Sequence, residues 1–494
     1  MDTLRAKVNS YVKSQLNEYK PLNIKSPKVI HDSILGTNPF FQHEIMVIDS
    51  PLIQRLRRIS QVDVVPLVFP SGNHNRFEHS LGVTVIADKL VRALHNKKVL
   101  PESTDFNELL HHVRMAGILH DCGHCAFSHM SEDIYGEFQD FKLELDENRD
   151  LYGSSKPHEI LSYLIVTSDA FKNYYVEHIE SVTGISFDFD LIGQMIIGHI
   201  SMDDKAFWVE IINGAFDADK LDYIQRDSHF TGIQMILDLD RLFHCLDLIE
   251  IEGKKRLTID FSGVSTLEQI VFDKMMLIST VYNHHKVRAA ECVFRSIFDD
   301  IIDNGIEIND LKFTSAADFL YLTDDDIYYF AKNNIGRPSK LARYLLNRTL
   351  PKRSLIISGR TIYENNKNLQ KIMSLDRDDR KHLAALIAEE ANKVGKTDQI
   401  TAEDIWLDLP RIPSFKEGSQ WPIKSLTEEK GYITLRKVFP VDDWSKAFSE
   451  NKWKGHIFTW PQFSDEVNQA AKSIMEEAFD ISLNDSSRSG CKID

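Results

Sequence analysis

Basic charge is what this 494-residue chain lacks: 58 lysines and arginines stand against 74 aspartates and glutamates, a formal net charge of −16. A general electrostatic grip on nucleic acid needs a basic surface that displaces counterions, so nucleic-acid binding is not indicated. Any polyanionic ligand must meet positive charge placed locally. Cysteine is scarce too. The five, Cys122, Cys125, Cys245, Cys292 and Cys491, are odd in number and scattered, which excludes a disulfide framework and fits a reducing compartment. Cys122 and Cys125 read CxxC without a second Cys or His pair at zinc-finger spacing, so two small residues near a buried helix end explain them better than a redox or zinc site. No run is long and apolar enough to cross a bilayer, and the opening MDTLRAKVNSYVKSQ is polar and helical rather than a basic segment ahead of a signal core. A cytoplasmic protein without membrane attachment is expected.

What is present suits a folded chain too long for one core: an apolar fraction of 43%, arranged mainly at helical spacing from Ser50 to about Phe298. The runs 82-GVTVIADKLVRAL-94, 113-VRMAGILH-120 and 268-EQIVFDKMMLISTVY-282 carry that period, and no repeat at a solenoid period accompanies them. Charged residues from Glu137 to Lys156 read as an exposed insertion. After about Lys340 the texture changes to short β-branched or aromatic runs, 354-SLIISGRTI-362, 405-IWLDL-409 and 432-YITLRKVF-439. An amphipathic helix is expected over Ser464 to Phe479. The expected architecture is mainly α: a helical bundle over 1–345, a smaller α+β lobe over 346–480 and a flexible tail over 481–494.

In 117-GILHDCGHCAFSH-129 an apolar run ends abruptly in His120 and Asp121, and burying two such polar groups requires a compensating partner. Neighbouring helical positions differ by about 100 degrees, so both side chains can reach one ion from a helix edge, with His124 one turn further on the same face. Upstream, 73-NHNRFEHSLGV-83 sets Arg76 and His79 on one helical face; downstream, 217-DADKLDYIQRD-227 supplies Asp219. His79, His120, Asp121 and Asp219 make a mixed nitrogen and oxygen set suited to one divalent ion, Mn, Fe, Zn or Mg, rather than to a thiolate-selected one. An ion in such a site favours phosphoester hydrolysis.

From about Lys28 to Leu350 the chain resembles the HD-domain deoxynucleoside triphosphate triphosphohydrolases. The likeness rests on 48-IDSPLIQRLRRISQ-61, 68-VFPSGNHNRFEHSLGV-83, 117-GILHDCGHCAFSHM-130, 217-DADKLDYIQRDSHFTGI-233 and 281-VYNHHKVRAAE-291. No SAM-type module is read ahead of Lys28. The resemblance makes the bundle an HD phosphohydrolase domain and implies cleavage of a dNTP to deoxynucleoside and inorganic triphosphate. It gives His129 as general acid, with His124, Glu132 and His158 around it; Glu132 stands where mammalian members carry aspartate. It implies that Arg76, Lys220 and Lys274 meet the triphosphate, accompanied by a further Mg, with lysine at 274 in place of arginine. Gln61, Tyr223, Asp227 and Tyr282 are then the sugar contacts. A regulatory pocket for GTP or a dNTP is implied at Lys28, Val29, Asp49, Gln54 and Arg57, although His31 replaces an asparagine and 32-DSILG-36 lacks the usual histidine. A homodimer or homotetramer is implied as well. The alternative is an HD phosphohydrolase acting on another phosphoester: a nucleoside monophosphate, a cyclic nucleotide or an oligonucleotide end.

Overall fold

The computed structural model describes residues 3–22, 27–363, 366–411 and 416–488. The chain is mainly α and divides into two compact units, one of 1–277, 298–334 and 416–439, the other of 278–297, 335–415 and 440–494. No described helix is long and apolar enough to cross a membrane.

Two helices form the centre of the first unit. The His79 helix, Arg76–Asn96, starts where the Asn75 side chain accepts from the Glu78 amide at 3.2 Å. The HD helix, Phe106–Leu119, starts on the corresponding cap, Asp105 accepting from Glu108, and buries every residue from Val113 to Leu119. The two pack along their length, with Thr84 backbone atoms only 3.0 and 3.1 Å from where a Cβ on Gly117 would lie. Against the His79 helix lies the Asp219 helix, Ala218–Thr231, capped by Asp217 and stopped by left-handed Gly232. A hairpin, Lys28–Asp32 with Gly36–Phe40, and a four-stranded sheet complete this unit.

That sheet corrects the expected boundary. Its strands Pro422–Lys424 and Tyr432–Thr434 come from the stretch assigned to the lobe, but Ile423 pairs with Ile259 and Thr258 Oγ1 donates to Pro422 O at 2.9 Å. Residues 416–439 therefore belong with the helical unit. The 137–156 stretch is likewise not a plain exposed insertion. It forms helices Gln139–Glu147 and Arg149–Tyr152, whose Glu144 is buried by an ion pair with Arg5 at 2.7 Å and a hydrogen bond from Tyr152 Oη at 2.6 Å.

The second unit is a three-stranded antiparallel sheet, Lys352–Ile357, Gly455–Thr459 and Ile405–Asp408 in that order, packed against helices Arg377–Gly395 and Ser464–Phe479. The last helix has the bounds that its periodicity predicts. The expected tail does not: Ile481 and Leu483 are buried in this unit's core, and Leu483 bridges to Ile362. The polar composition around them hid two apolar residues at alternate positions, enough to seat an extended segment; residues 489–494, Cys491 among them, lie outside the described residues. Leu483→Ala should therefore cost about 2–5 kcal/mol, read as a lowered denaturation midpoint of this unit. A change below about 0.5 kcal/mol, as a frayed surface residue would give, contradicts the assignment.

Candidate metal centre

His79, His120 and Asp219 each bring one ligand atom within 4.8 Å of the other two. His79 Nε2 lies 3.0 Å from Asp219 Oδ1 and 3.3 Å from His120 Nε2. Asp121 flanks the same edge, with Oδ1 3.3 Å from His120 Nε2 and Oδ2 3.7 Å from His79 Nε2. Donors about 2.1 Å from a common ion stand roughly 3.0–3.4 Å apart, so these edges have the size of a coordination shell.

The protonation pattern points the same way. His79 Nδ1 donates to Asp222 Oδ2 at 2.7 Å and His120 Nδ1 to the Gly117 carbonyl at 2.8 Å. With Nδ1 so engaged, each ring turns its Nε2 toward the other and toward Asp219, a place for positive charge that a proton on His79 Nε2 or a shared cation can fill. Burial works against charge on His79, yet its hydrogen bonds to Asp219 and Asp222 and the nearby Asp121 push its pKa up to about 10. Burial also opposes charge on Asp121, but His120, Arg76 and His124 hold its carboxyl well below the usual range. The residues present fit a divalent ion.

The side chains reach this point differently from the helical picture drawn above. The HD helix ends at Leu119, and His120 to Ser128 form tight turns, so His124 arrives through a turn rather than one helical turn along a face. Gly123 makes the approach possible: a Cβ there would lie 2.4 Å from the Ser162 amide nitrogen and 2.5 Å from the His158 carbonyl. Buried Cys122 and Cys125 line this turn, their thiols pushed up to about 12 by burial, as suits inert packing.

Beside the first cluster stands a second. Glu132 Oε1 accepts from His129 Nδ1 at 2.7 Å and His158 Nδ1 at 2.8 Å, while His124 stacks on His158 at 3.8 Å. His129 is half exposed; the other three are buried. Burial disfavours charge on Glu132, but His158 and His129 hold its carboxyl well below the usual range. Arg76 joins the clusters: Nη1 donates to Asp121 Oδ2 at 2.9 Å, Nε to Ser128 Oγ at 2.8 Å, and Nη2 lies 3.3 Å from His129 Nε2. Ahead of His129, Phe127 and Ser128 both take positive φ, 52° and 45°. Such backbone costs about 1–3 kcal/mol per residue and must be held by its surroundings.

The remaining expected residues are placed as follows. Asp227 is buried against His74, Oδ1 to Nε2 2.8 Å, and Gln61 is buried with Oε1 lacking a hydrogen-bond partner among the described residues. Tyr223 lies on the Asp219 helix between Asp219 and Asp227. Lys220 Nζ donates to Asp217 Oδ2 at 2.6 Å and to the Gly214 carbonyl at 2.8 Å. Lys274 lies in the last turn of helix Val264–Leu277, and Tyr282 belongs to the second unit. Of the regulatory set, Lys28 pairs with Asp49 at 3.5 Å, Arg57 Nε donates to Gln54 Oε1 at 2.8 Å and stacks over Phe77, and Val29 is exposed.

Sequence reasoning missed Asp222, Arg226 and His74. Asp222 receives Arg226 Nε at 2.8 Å besides His79, and a Cβ on Gly82 would lie 2.0 Å from its Oδ1. Gly82, one turn after His79, was the available signal.

Residues 76–227 match the HD domain, and residues 237–484 match the HD associated region. An uncharacterised protein of Methanocaldococcus jannaschii is 29% identical over 434 residues, 87% of this chain and 79% of the relative. The deoxynucleoside triphosphate triphosphohydrolase SAMHD1 of Homo sapiens is 26% identical, over 82% of this chain and 65% of its own length. Its Dictyostelium discoideum homologue is 28% identical over 75% and 65%. The chain thus spans about two thirds of these two relatives.

Because Asp222 fixes the His79 ring, Asp222→Asn should weaken divalent-metal binding about 10- to 100-fold, measured by calorimetric titration with Mn at unchanged helical circular dichroism. An unaltered Kd would remove Asp222 from that role.

Proposed function

The chain belongs to the HD-domain family, with an HD associated region as its second part, and on that premise we propose that it is a metal-dependent phosphohydrolase that cleaves dNTPs to deoxynucleoside and inorganic triphosphate. One observation carries the reading: an imidazole and carboxylate cluster with the dimensions of a metal shell adjoins a half-exposed histidine backed by a buried carboxylate, and Arg76 bonds to both. A divalent ion, Mn, Fe, Zn or Mg, supplies Lewis acidity toward a phosphoryl group and makes water a better nucleophile near neutral pH.

The chain's own residues do the rest. Glu132 orients His129 through Nδ1, so that Nε2, once it exchanges the Arg76 contact for a proton, can pass that proton to the departing 5′ oxygen, and His158 shares the same carboxylate oxygen. Arg76 keeps Asp121 and His129 in fixed relation. Lys220 meets phosphate by exchanging Asp217 for it, and Lys274 adds charge, with Mg accompanying the triphosphate. Gln61, whose oxygen lacks a partner among the described residues, reads the sugar together with Tyr223 and Asp227. The Lys28–Asp49 ion pair, exposed Val29, and Arg57 held by Gln54 and stacked over Phe77 support a regulatory site for GTP or a dNTP, in a homodimer or homotetramer.

The test is product analysis of the purified chain with Mn or Mg and each dNTP, singly and mixed. Deoxynucleoside and intact triphosphate in equal amounts support the proposal; orthophosphate release, or turnover only of monophosphates, cyclic nucleotides or oligonucleotide ends, points to the other HD chemistry. His120→Ala and Asp219→Ala should lose both bound metal and turnover. His129→Ala should keep the metal while kcat falls on the order of a hundredfold or more, and an unchanged kcat would remove His129 as the acid.

A further inference from the structure

We propose that Asp324, from the HD associated region, is a positioning residue for this site: its carboxylate clamps two backbone segments and so holds the turn that presents His129. The inference rests on the reading of His129 as the proton donor. Oδ2 of Asp324 accepts the Ser60 amide at 2.9 Å, and Oδ1 accepts the Phe127 amide at 2.6 Å. Each oxygen therefore holds one of two segments that are distant in the chain and meet at the site.

Both segments matter to the chemistry. Ser60 precedes Gln61, and its carbonyl accepts from Ser128 Oγ at 2.5 Å, the same hydroxyl that receives Arg76 Nε. Phe127 and Ser128 are the two left-handed residues directly ahead of His129. Nothing in their side chains favours that backbone, so it has to be imposed by partners. Asp324 supplies the partner for the Phe127 amide, Asp63 Oδ1 accepts the His129 amide at 3.1 Å, and the Phe127 ring meets Tyr328 edge-on at 5.7 Å. Tyr328 and Asp324 lie one turn apart on helix Asp324–Asn333, so this helix end grips the turn by both backbone and ring. A carboxylate is the group that can accept two amides, one on each oxygen; an asparagine would turn its NH2 toward one of them.

The experiment compares Asp324→Asn with Asp326→Asn. Asp326 caps the same helix, accepting from the Thr323 amide and hydroxyl at 2.7 Å each, but touches neither Ser60 nor Phe127. In Asp324→Asn, kcat should fall tenfold or more while KM for dNTP and bound metal stay within twofold of wild type. In Asp326→Asn, Tm should drop comparably or further with kcat held within twofold. Amide exchange by mass spectrometry should rise around Ser60 and Phe127 in the first variant alone. Unchanged kcat in Asp324→Asn, an equal fall in Asp326→Asn, or metal lost in step with kcat would each overturn the proposal. If the wild-type chain turns over no dNTP, the functional reading fails, and the exchange measurement alone decides whether the clamp exists.

Discussion

Two imidazole nitrogens, His79 Nε2 and His120 Nε2, face each other at 3.3 Å in a buried place flanked by carboxylates, and the helices around them hold them there. Each ring is fixed from behind, by Asp222 and by the Gly117 carbonyl, so neither can turn its Nε2 away. The fold accommodates this through small residues. Gly82 admits Asp222 against the His79 helix, and Gly123 lets the HD turn close onto the helix that carries His158. Positive charge held there, on a protonated His79 or on a bound cation, offsets the surrounding carboxylate charge.

Around that centre, charge is passed along a short chain of contacts. Asp121 is shared between the cation site and Arg76; Arg76 is shared with Ser128 and His129; Glu132 ties His129 to His158. This makes His129 and the imidazole and carboxylate cluster one electrostatic unit in a protein whose net charge is strongly negative. It also places a cost on the backbone, since His129 reaches its position only through two left-handed residues.

The imidazole and carboxylate cluster was legible because its residues fall on short motifs whose spacing survives translation into structure: an amphipathic helix beginning at Arg76, an apolar helix ending just before His120, and a capped helix carrying Asp219. The helix Ser464–Phe479 was legible for the same reason of period. What was not legible depends on contacts between distant segments. Asp222 and Arg226 look like an ordinary i, i+4 surface pair, and only burial and Gly82 reveal that they brace His79. Asp324 reads as one of three acidic residues opening a helix. The turn from His120 to His124 reads as helix in the sequence because the motif's histidine spacing imitates a helical one. Residues 416–439 and 481–488 were misplaced because short strands and extended segments carry too little periodicity to show what they pair with.

The facing imidazoles and their carboxylates are expected to hold one divalent ion. Metal counting combined with X-ray absorption spectroscopy on the purified full chain tests it without reference to any substrate. One ion per chain is expected, with a shell of two imidazole nitrogens and carboxylate or water oxygens at about 2.0–2.2 Å. A chain that retains no ion after exposure to Mn, Fe, Zn and Mg in turn, or a shell containing sulfur from Cys122 or Cys125, would contradict it.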